Sequence, residues 1–261
     1  MGASDHHPET GQEVEPERAP KHSRELAPLA EHIGERHRPG STTVVGISGG
    51  VAAGKSTLAS ALAALLTHRG LSVAVVPTDG FLFPNDRLAE MGVLHRKGFP
   101  ETYDVKAVHD LLDALDRREP ARVPVYDHHL YDIGDEVLVI DVVDIVIIEG
   151  LNALRFADRL DVAVYLHADE PDLRRWFTER AFGFRNAART TYSPFFDAWT
   201  DAPDDQFEAM AIGAWELVNL PNLLEHVEPL RATADVTVHK DEAHTIVAVE
   251  FHRGGPWPEM T

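Results

Sequence analysis

Eight residues constrain this chain more than any others: Gly49-Gly50-Val51-Ala52-Ala53-Gly54-Lys55-Ser56, which fit the pattern G-x-x-x-x-G-K-[ST]. Glycines at this spacing let backbone N–H groups turn inward around phosphate oxygens. A helix that follows then presents its positive N-terminus to the same anion. The motif is confirmed by context, a strand before it and a helix after it. Thr43-Val44-Val45-Gly46-Ile47 is a short β-branched run, and residues 55–68 are rich in Ala and Leu. The expectation is a site for the triphosphate of ATP running from Gly49 to Thr57. Lys55 reaches the β- and γ-phosphates there, and the Ser56 hydroxyl is available to Mg²⁺.

The rest of the chain repeats the strand and helix alternation. Strand patterns fall at 72–76, 144–148, 161–166, 235–239 and 245–251, and helix patterns at 105–115, 169–184 and 206–218. Strands separated by helix-length segments imply right-handed crossovers, hence an α/β fold with a mainly parallel sheet flanked by helices. Residues 42–251 form the expected catalytic domain. Residues 1–41 read as an extension. Its start is rich in Glu, Pro and His and too poor in large apolar side chains to fold. A short helix follows, with Leu26, Leu29 and Ile33 on one side. Residues 252–261 read as an unstructured end.

Charge and composition exclude several classes. Lys and Arg number 24 against 43 Asp and Glu, a formal net charge of −19, which repels a nucleic-acid partner. With no cysteine there is no disulfide, thiolate metal site or thiol nucleophile. The N-terminus has no apolar core of a secretory signal. The most apolar stretch, residues 137–148, is broken by Asp141 and Asp144 and is too short for a bilayer. The expected setting is the cytoplasm, without a membrane partner.

Two carboxylates extend the phosphate site. Asp79 follows the strand at 72–76, and residues just past the C-terminal end of a parallel strand face the ligand crevice. A carboxylate there can take the proton of an acceptor hydroxyl or help hold Mg²⁺, although Asp-Gly is also a common turn pair. Glu149 ends the strand at 144–148 at the position of an acid that orients metal-bound water; the plainer alternative is a solvated loop glutamate. Ser56 and Glu149 are thus the candidate Mg²⁺ ligands.

Further stretches carry a resemblance. Thr78-Asp79-Gly80-Phe81-Leu82-Phe83-Pro84-Asn85 is one, and Arg96-Lys97-Gly98-Phe99-Pro100-Glu101-Thr102-Tyr103-Asp104 is a second. The others are Pro124-Val125-Tyr126-Asp127-His128-His129-Leu130-Tyr131-Asp132, Ile148-Glu149-Gly150-Leu151-Asn152 and Asn219-Leu220-Pro221-Asn222-Leu223. Together with the phosphate loop, these resemble the type I (bacterial, P-loop) pantothenate kinases, in order and over roughly four fifths of the chain. The resemblance implies a P-loop kinase fold, usually dimeric, that moves the ATP γ-phosphate to the primary hydroxyl of pantothenate, at the entry to coenzyme A. Carried onto this sequence, it makes Asp79 the catalytic base, with Lys55 and Arg180 stabilising charge on the transferring group. Tyr126, His128, Tyr131, Phe177 and Asn222 become the acceptor-binding residues, and Lys97 helps with phosphates.

This chain also departs from the family pattern. Ser60 stands where the family has an arginine that contacts coenzyme A, so feedback inhibition is not expected. Phe177 replaces a tyrosine on the lid helix. Ala181 and Arg189 stand where aromatic residues usually wall the acceptor pocket, which implies a roomier and more cationic pocket. Kinases of uridine and phosphoribulose share the same strand, phosphate loop and downstream Asp logic. An acceptor such as a nucleoside or a sugar acid is therefore the alternative to pantothenate.

Overall fold

The computed structural model describes residues 22–252. The expectations for residues before His22 and after His252 lie outside the described residues. The main sheet has six strands in the order β2-β5-β1-β6-β7-β8, namely β1 (Thr43–Gly49), β2 (Val73–Pro77), β5 (Ile145–Glu149), β6 (Val162–His167), β7 (Val236–Lys240) and β8 (Ile246–Phe251). Every pairing is parallel except β7 with β8. All seven residues of β1 and all five of β5 are buried, as expected where helices cover both faces of a parallel sheet. A two-stranded antiparallel hairpin, β3 (Ala121–Asp127) and β4 (Asp132–Ile140), stands apart from it.

The helices are α1 (Ser23–Arg36), α2 (Lys55–His68), α3 (Asn85–Glu90), α4 (Val105–Asp116), α5 (Glu170–Ala188) and α6 (Asp204–Ala214). Helix α1 buries Leu26, Leu29 and Ile33 in the main core, so the core reaches back beyond the expected start at residue 42. Pro28 is accommodated inside α1. It lies in the second turn, where it removes the one N–H that a regular helix would donate to the Arg24 carbonyl. Past α6 the helical path continues through two π turns, Trp215–Asn219 and Leu223–Val227, on either side of Pro221. A proline lacks the N–H of a regular ladder, and wider π turns are one way for a helix to absorb that loss.

Register fixes the site. Ile47 and Pro77 both lie opposite Glu149, so the ends of β1, β2 and β5 come level at one edge of the sheet. The phosphate loop, Asp79 and Glu149 all emerge there. Over that edge sits a cap with its own apolar cluster, Ala181, Ala188, Phe196, Phe207 and Ala211, built from α5, α6 and the connection between them.

Candidate active site

The phosphate loop is shaped by what its glycines lack. A Cβ at Gly49 would overlap the Leu166 carbonyl oxygen on the neighbouring strand. Gly54, with φ of 91°, takes the left-handed conformation that starts α2. From the first turn of α2, Lys55 Nζ donates to the Gly50 carbonyl at 2.9 Å, and Ser56 Oγ donates to Glu149 Oε1 at 2.7 Å. Burial pushes Lys55 down and Glu149 up from their ordinary pKa values. Each opposes the other's shift, because opposite charges at close range favour the ionised forms.

Asp79 lies in the 3-10 turn Thr78–Phe81 that follows β2. Two glycines let other elements close on this turn. A Cβ at Gly80 would overlap the Pro124 carbonyl of β3, and one at Gly150 would overlap Thr78 Oγ1. The β3–β4 hairpin is thereby seated against the base of the site. Tyr103, buried, donates its hydroxyl to Asp79 Oδ1 at 3.5 Å.

The hairpin turn carries the aromatic residues. Tyr126 packs edge-on against His128 and Tyr131, with centroids 5.2 and 6.4 Å apart. His128 leans on Phe184 of the cap at 5.8 Å, and the Arg180 guanidinium lies 5.2 Å from the same ring. Burial lowers the pKa of His128; Asp79 acts to raise it and Arg180 to lower it further. Lys97 Nζ donates to Asn85 Oδ1 and to the Tyr131 carbonyl, both at 2.6 Å, and sits 4.8 and 4.7 Å from the Tyr126 and Tyr131 ring centroids. Burial brings the Lys97 pKa down to about 8.

One cavity of about 1270 Å³ joins these parts. It is lined by Val51, Ala52, Gly54, Lys55, Ser56, Thr57, Asp79, Glu149 and Arg180 on the phosphate side, and by Tyr126 and His128 on the hairpin side. Three expected acceptor residues stand outside that lining. Phe177 packs on Trp215 with centroids 5.8 Å apart. Asn222 is buried and donates Nδ2 to the Gly98 carbonyl at 3.0 Å. Tyr131 is 40% exposed and stacks on Phe195 at 5.4 Å.

A family model described as methylmalonyl Co-A mutase-associated GTPase MeaB matches residues 13–81, the stretch that holds the phosphate loop and Asp79. It spans less than half of the chain. Over most of its length the chain is similar to curated kinases. A pantothenate kinase of Sorangium cellulosum is 42% identical over 223 residues, 80% of this chain and 72% of the relative. One from Vibrio cholerae is 37% identical over 222 residues, 79% of this chain and 71% of the relative. The chain belongs to the pantothenate kinase family. Among solved structures, a candidate fructose transport system kinase from Silicibacter sp. TM1040 superposes with a TM-score of 0.64 at 27% identity, covering 81% of this chain and 98% of that one. A D-glycerate 3-kinase from Cryptococcus neoformans gives 0.60 at 17% identity, covering 88% and 99%, a likeness of fold.

Two departures from the pantothenate kinase pattern act differently from their sequence reading. Ala181 faces the cap cluster with Phe196 and Phe207, so its small side chain serves packing inside the cap. Arg189 is exposed and donates to the Thr200 carbonyl at 2.5 Å, tying the end of α5 to the cap connection. The roomier, more cationic pocket expected from these two positions is not what they build. Ser60 donates to the Ser56 carbonyl at 2.8 Å, inside its own helix.

Sequence reasoning missed a cation and a stacked pair at the far side of the loop. Lys240 Nζ donates to the Ala53 carbonyl at 2.8 Å and lines the cavity. It follows the expected strand at 235–239, so the strand-end logic that found Asp79 applies to it equally. Trp176 and His244 stack with centroids 3.6 Å apart, also on the lining. Nothing local marks His244, which comes from the turn between β7 and β8 and meets α5 only through the fold.

Proposed function

We propose that this chain transfers the γ-phosphate of ATP to the primary hydroxyl of pantothenate, and that the cavity described above is where it does so. The observation that carries this reading is the continuity of that cavity. Lys55, Ser56, Asp79, Glu149 and Arg180 share it with Tyr126 and His128, so both halves of a phosphoryl transfer meet in one space. Curated relatives named pantothenate kinase, at 36–42% identity, support the acceptor.

In this reading the loop amides and the N-terminus of α2 hold the triphosphate, and Lys55 and Arg180 face its charge. Asp79 takes the proton of the acceptor hydroxyl while that oxygen attacks phosphorus in line. His128 and Tyr126 hold the acceptor, with Tyr131, Phe177 and Asn222 supporting the pocket from behind its lining. Ser56 Oγ and Glu149, 2.7 Å apart beside the loop, are hard oxygen donors of the kind Mg²⁺ takes, and they would hold it. Mg²⁺ when bound offsets charge on the phosphate oxygens. The same reading implies a homodimer in the cytoplasm. Among the described residues, no helix is long and apolar enough to cross a membrane.

A second acceptor is favoured by one observation, the 27% identity to the candidate fructose transport system kinase over 98% of that chain. The test is ADP release with pantothenate beside a panel of nucleosides, sugars and sugar acids. Turnover of pantothenate above all others is expected. Turnover confined to another acceptor overturns the pantothenate reading and leaves the kinase.

A further inference from the structure

Behind Asp79 lies a buried polar cluster that the proposed transfer leaves without a task. Tyr103 is tied to the turn of Asp79 by backbone as well as by side chain. It bridges Leu82, whose N–H donates to the Asp79 carbonyl at 3.1 Å, and the next residue, Asp104, donates to the Phe81 carbonyl at 2.7 Å. The Tyr103 hydroxyl donates to Asp79 Oδ1 at 3.5 Å. Thr78, on the same turn as Asp79, and Asn152 are both buried. Asn152 is itself anchored, its Nδ2 donating to the Gly98 carbonyl at 3.1 Å, the oxygen that also accepts from Asn222. The phenol is thus set beside Asp79 by the backbone pairing of its own segment with the turn and by its bond to Oδ1.

We propose that Tyr103 is the positioning residue for Asp79, its hydroxyl holding Oδ1 so that Oδ2 is the oxygen that receives the acceptor's proton. The proposal rests on Asp79 being the base in the reading above. An aspartate turns readily about its last torsion, which has a broad, two-fold profile, so a single donor on one oxygen decides where the other points. Burial and the adjacent carboxylate push the Tyr103 phenol well above its ordinary pKa, so it remains a donor throughout. Hydrogen bonds at catalytic groups are often long without substrate and tighten when it binds, which fits the 3.5 Å separation. In the step itself the acceptor O–H bond breaks and its proton goes to Oδ2. The acceptor oxygen bonds to the γ-phosphorus, the bond from that phosphorus to the bridging oxygen breaks, and ADP leaves. The Tyr103 proton stays on Tyr103.

The experiment is steady-state kinetics of the full chain carrying Tyr103→Phe, with Asp79→Asn and the double variant beside it. A fall in kcat of about tenfold is expected for Tyr103→Phe, the size of one hydrogen bond to a charged group, with KM for ATP and for the acceptor within about twofold. In the Asp79→Asn background the same change should cost less than about twofold, because the two residues act as a unit. Unchanged kcat in Tyr103→Phe, or two effects that simply multiply, overturns the proposal. A purely structural tyrosine would lower the melting temperature and leave the kcat of the folded fraction intact. If Tyr103→Phe does not fold, a fluorinated tyrosine at 103 keeps ring and hydroxyl while changing donor strength. An altered kcat at constant KM then supports the proposal, and no change overturns it. Absence of turnover by the unsubstituted protein with pantothenate is a distinct result. It counts against the acceptor reading, and the comparison is then made with the acceptor that the panel identifies. Absence of turnover with every acceptor overturns both.

Discussion

The two sides of the cavity are held by different means. On the phosphate side the backbone does the holding. Glycines 49 and 54 sit where side chains would collide with the sheet or with Lys240, and β1, β5 and β6 beneath them are buried almost throughout. On the hairpin side the holding is done by side chains, in a turn that touches the cap through ring contacts and the bond from Ser193 Oγ to the His129 carbonyl at 2.8 Å. Backbone cradles recognise an anion common to many reactions and tolerate little change. Ring contacts are individually weak and can be exchanged, which suits a side that would choose the acceptor in the proposed reading.

The largest effect that separates the two sides is expected from Asp79→Asn. It should lower kcat by about a thousandfold, the span of general-base catalysis, while ATP affinity measured by calorimetry stays within about twofold. Near-normal turnover would show that the acceptor proton leaves by another route. Next comes Gly80→Ala, whose new Cβ must displace the Pro124 carbonyl and with it the hairpin. A loss of about 2 kcal/mol is expected for such overpacking. It corresponds to a fall of about 4–8 °C in Tm by calorimetry for a domain of this size. An unshifted Tm would mean that the hairpin is seated on the sheet edge less closely than the geometry indicates.

His128→Gln should act on one side alone. The KM for the acceptor is expected to rise about tenfold, as when one buried hydrogen bond is lost, with KM for ATP unchanged. A rise in both constants would break the division between the sides. A further effect concerns pH. Lys97 has a folded-state pKa of about 8 against 10.5 in a free chain. Between those values the unfolded chain binds more protons, so this residue makes stability rise as pH rises from about 8 toward 10.5. Urea midpoints measured at the two ends of that window should climb more steeply for the native sequence than for Lys97→Met. Parallel slopes would show that Lys97 keeps its ordinary pKa.

Much of the phosphate side was legible beforehand because its signals are local. The spacing of Gly49, Gly54 and Lys55 specifies a loop between a strand and a helix, and β-branched runs specify strands, wherever the rest of the chain lies. Asp79 and Glu149 were found by counting to the ends of strands. The same count along β7 reaches Lys240. The hairpin and cap side was less legible. Phe177 and Asn222 stand in the right motifs, yet one turns to Trp215 and the other to Gly98, because a helical residue's direction is set by what packs around the helix. Ala181 and Arg189 went astray for the same reason, since the cap's own apolar cluster could not be seen from spacing.

The sequence by itself therefore determined that this chain binds a nucleotide triphosphate on a mainly parallel α/β frame. Short-range spacing fixes backbone conformation, and backbone is what recognises phosphate. Only the tertiary structure decided which side chains from distant segments meet around the loop and Asp79. The 3.5 Å approach of Tyr103 to Asp79 and the contact of Lys240 with the loop join residues 24 and 187 positions apart. Such meetings depend on strand register and on the collisions that glycines at 80 and 150 avoid, and no local pattern encodes them.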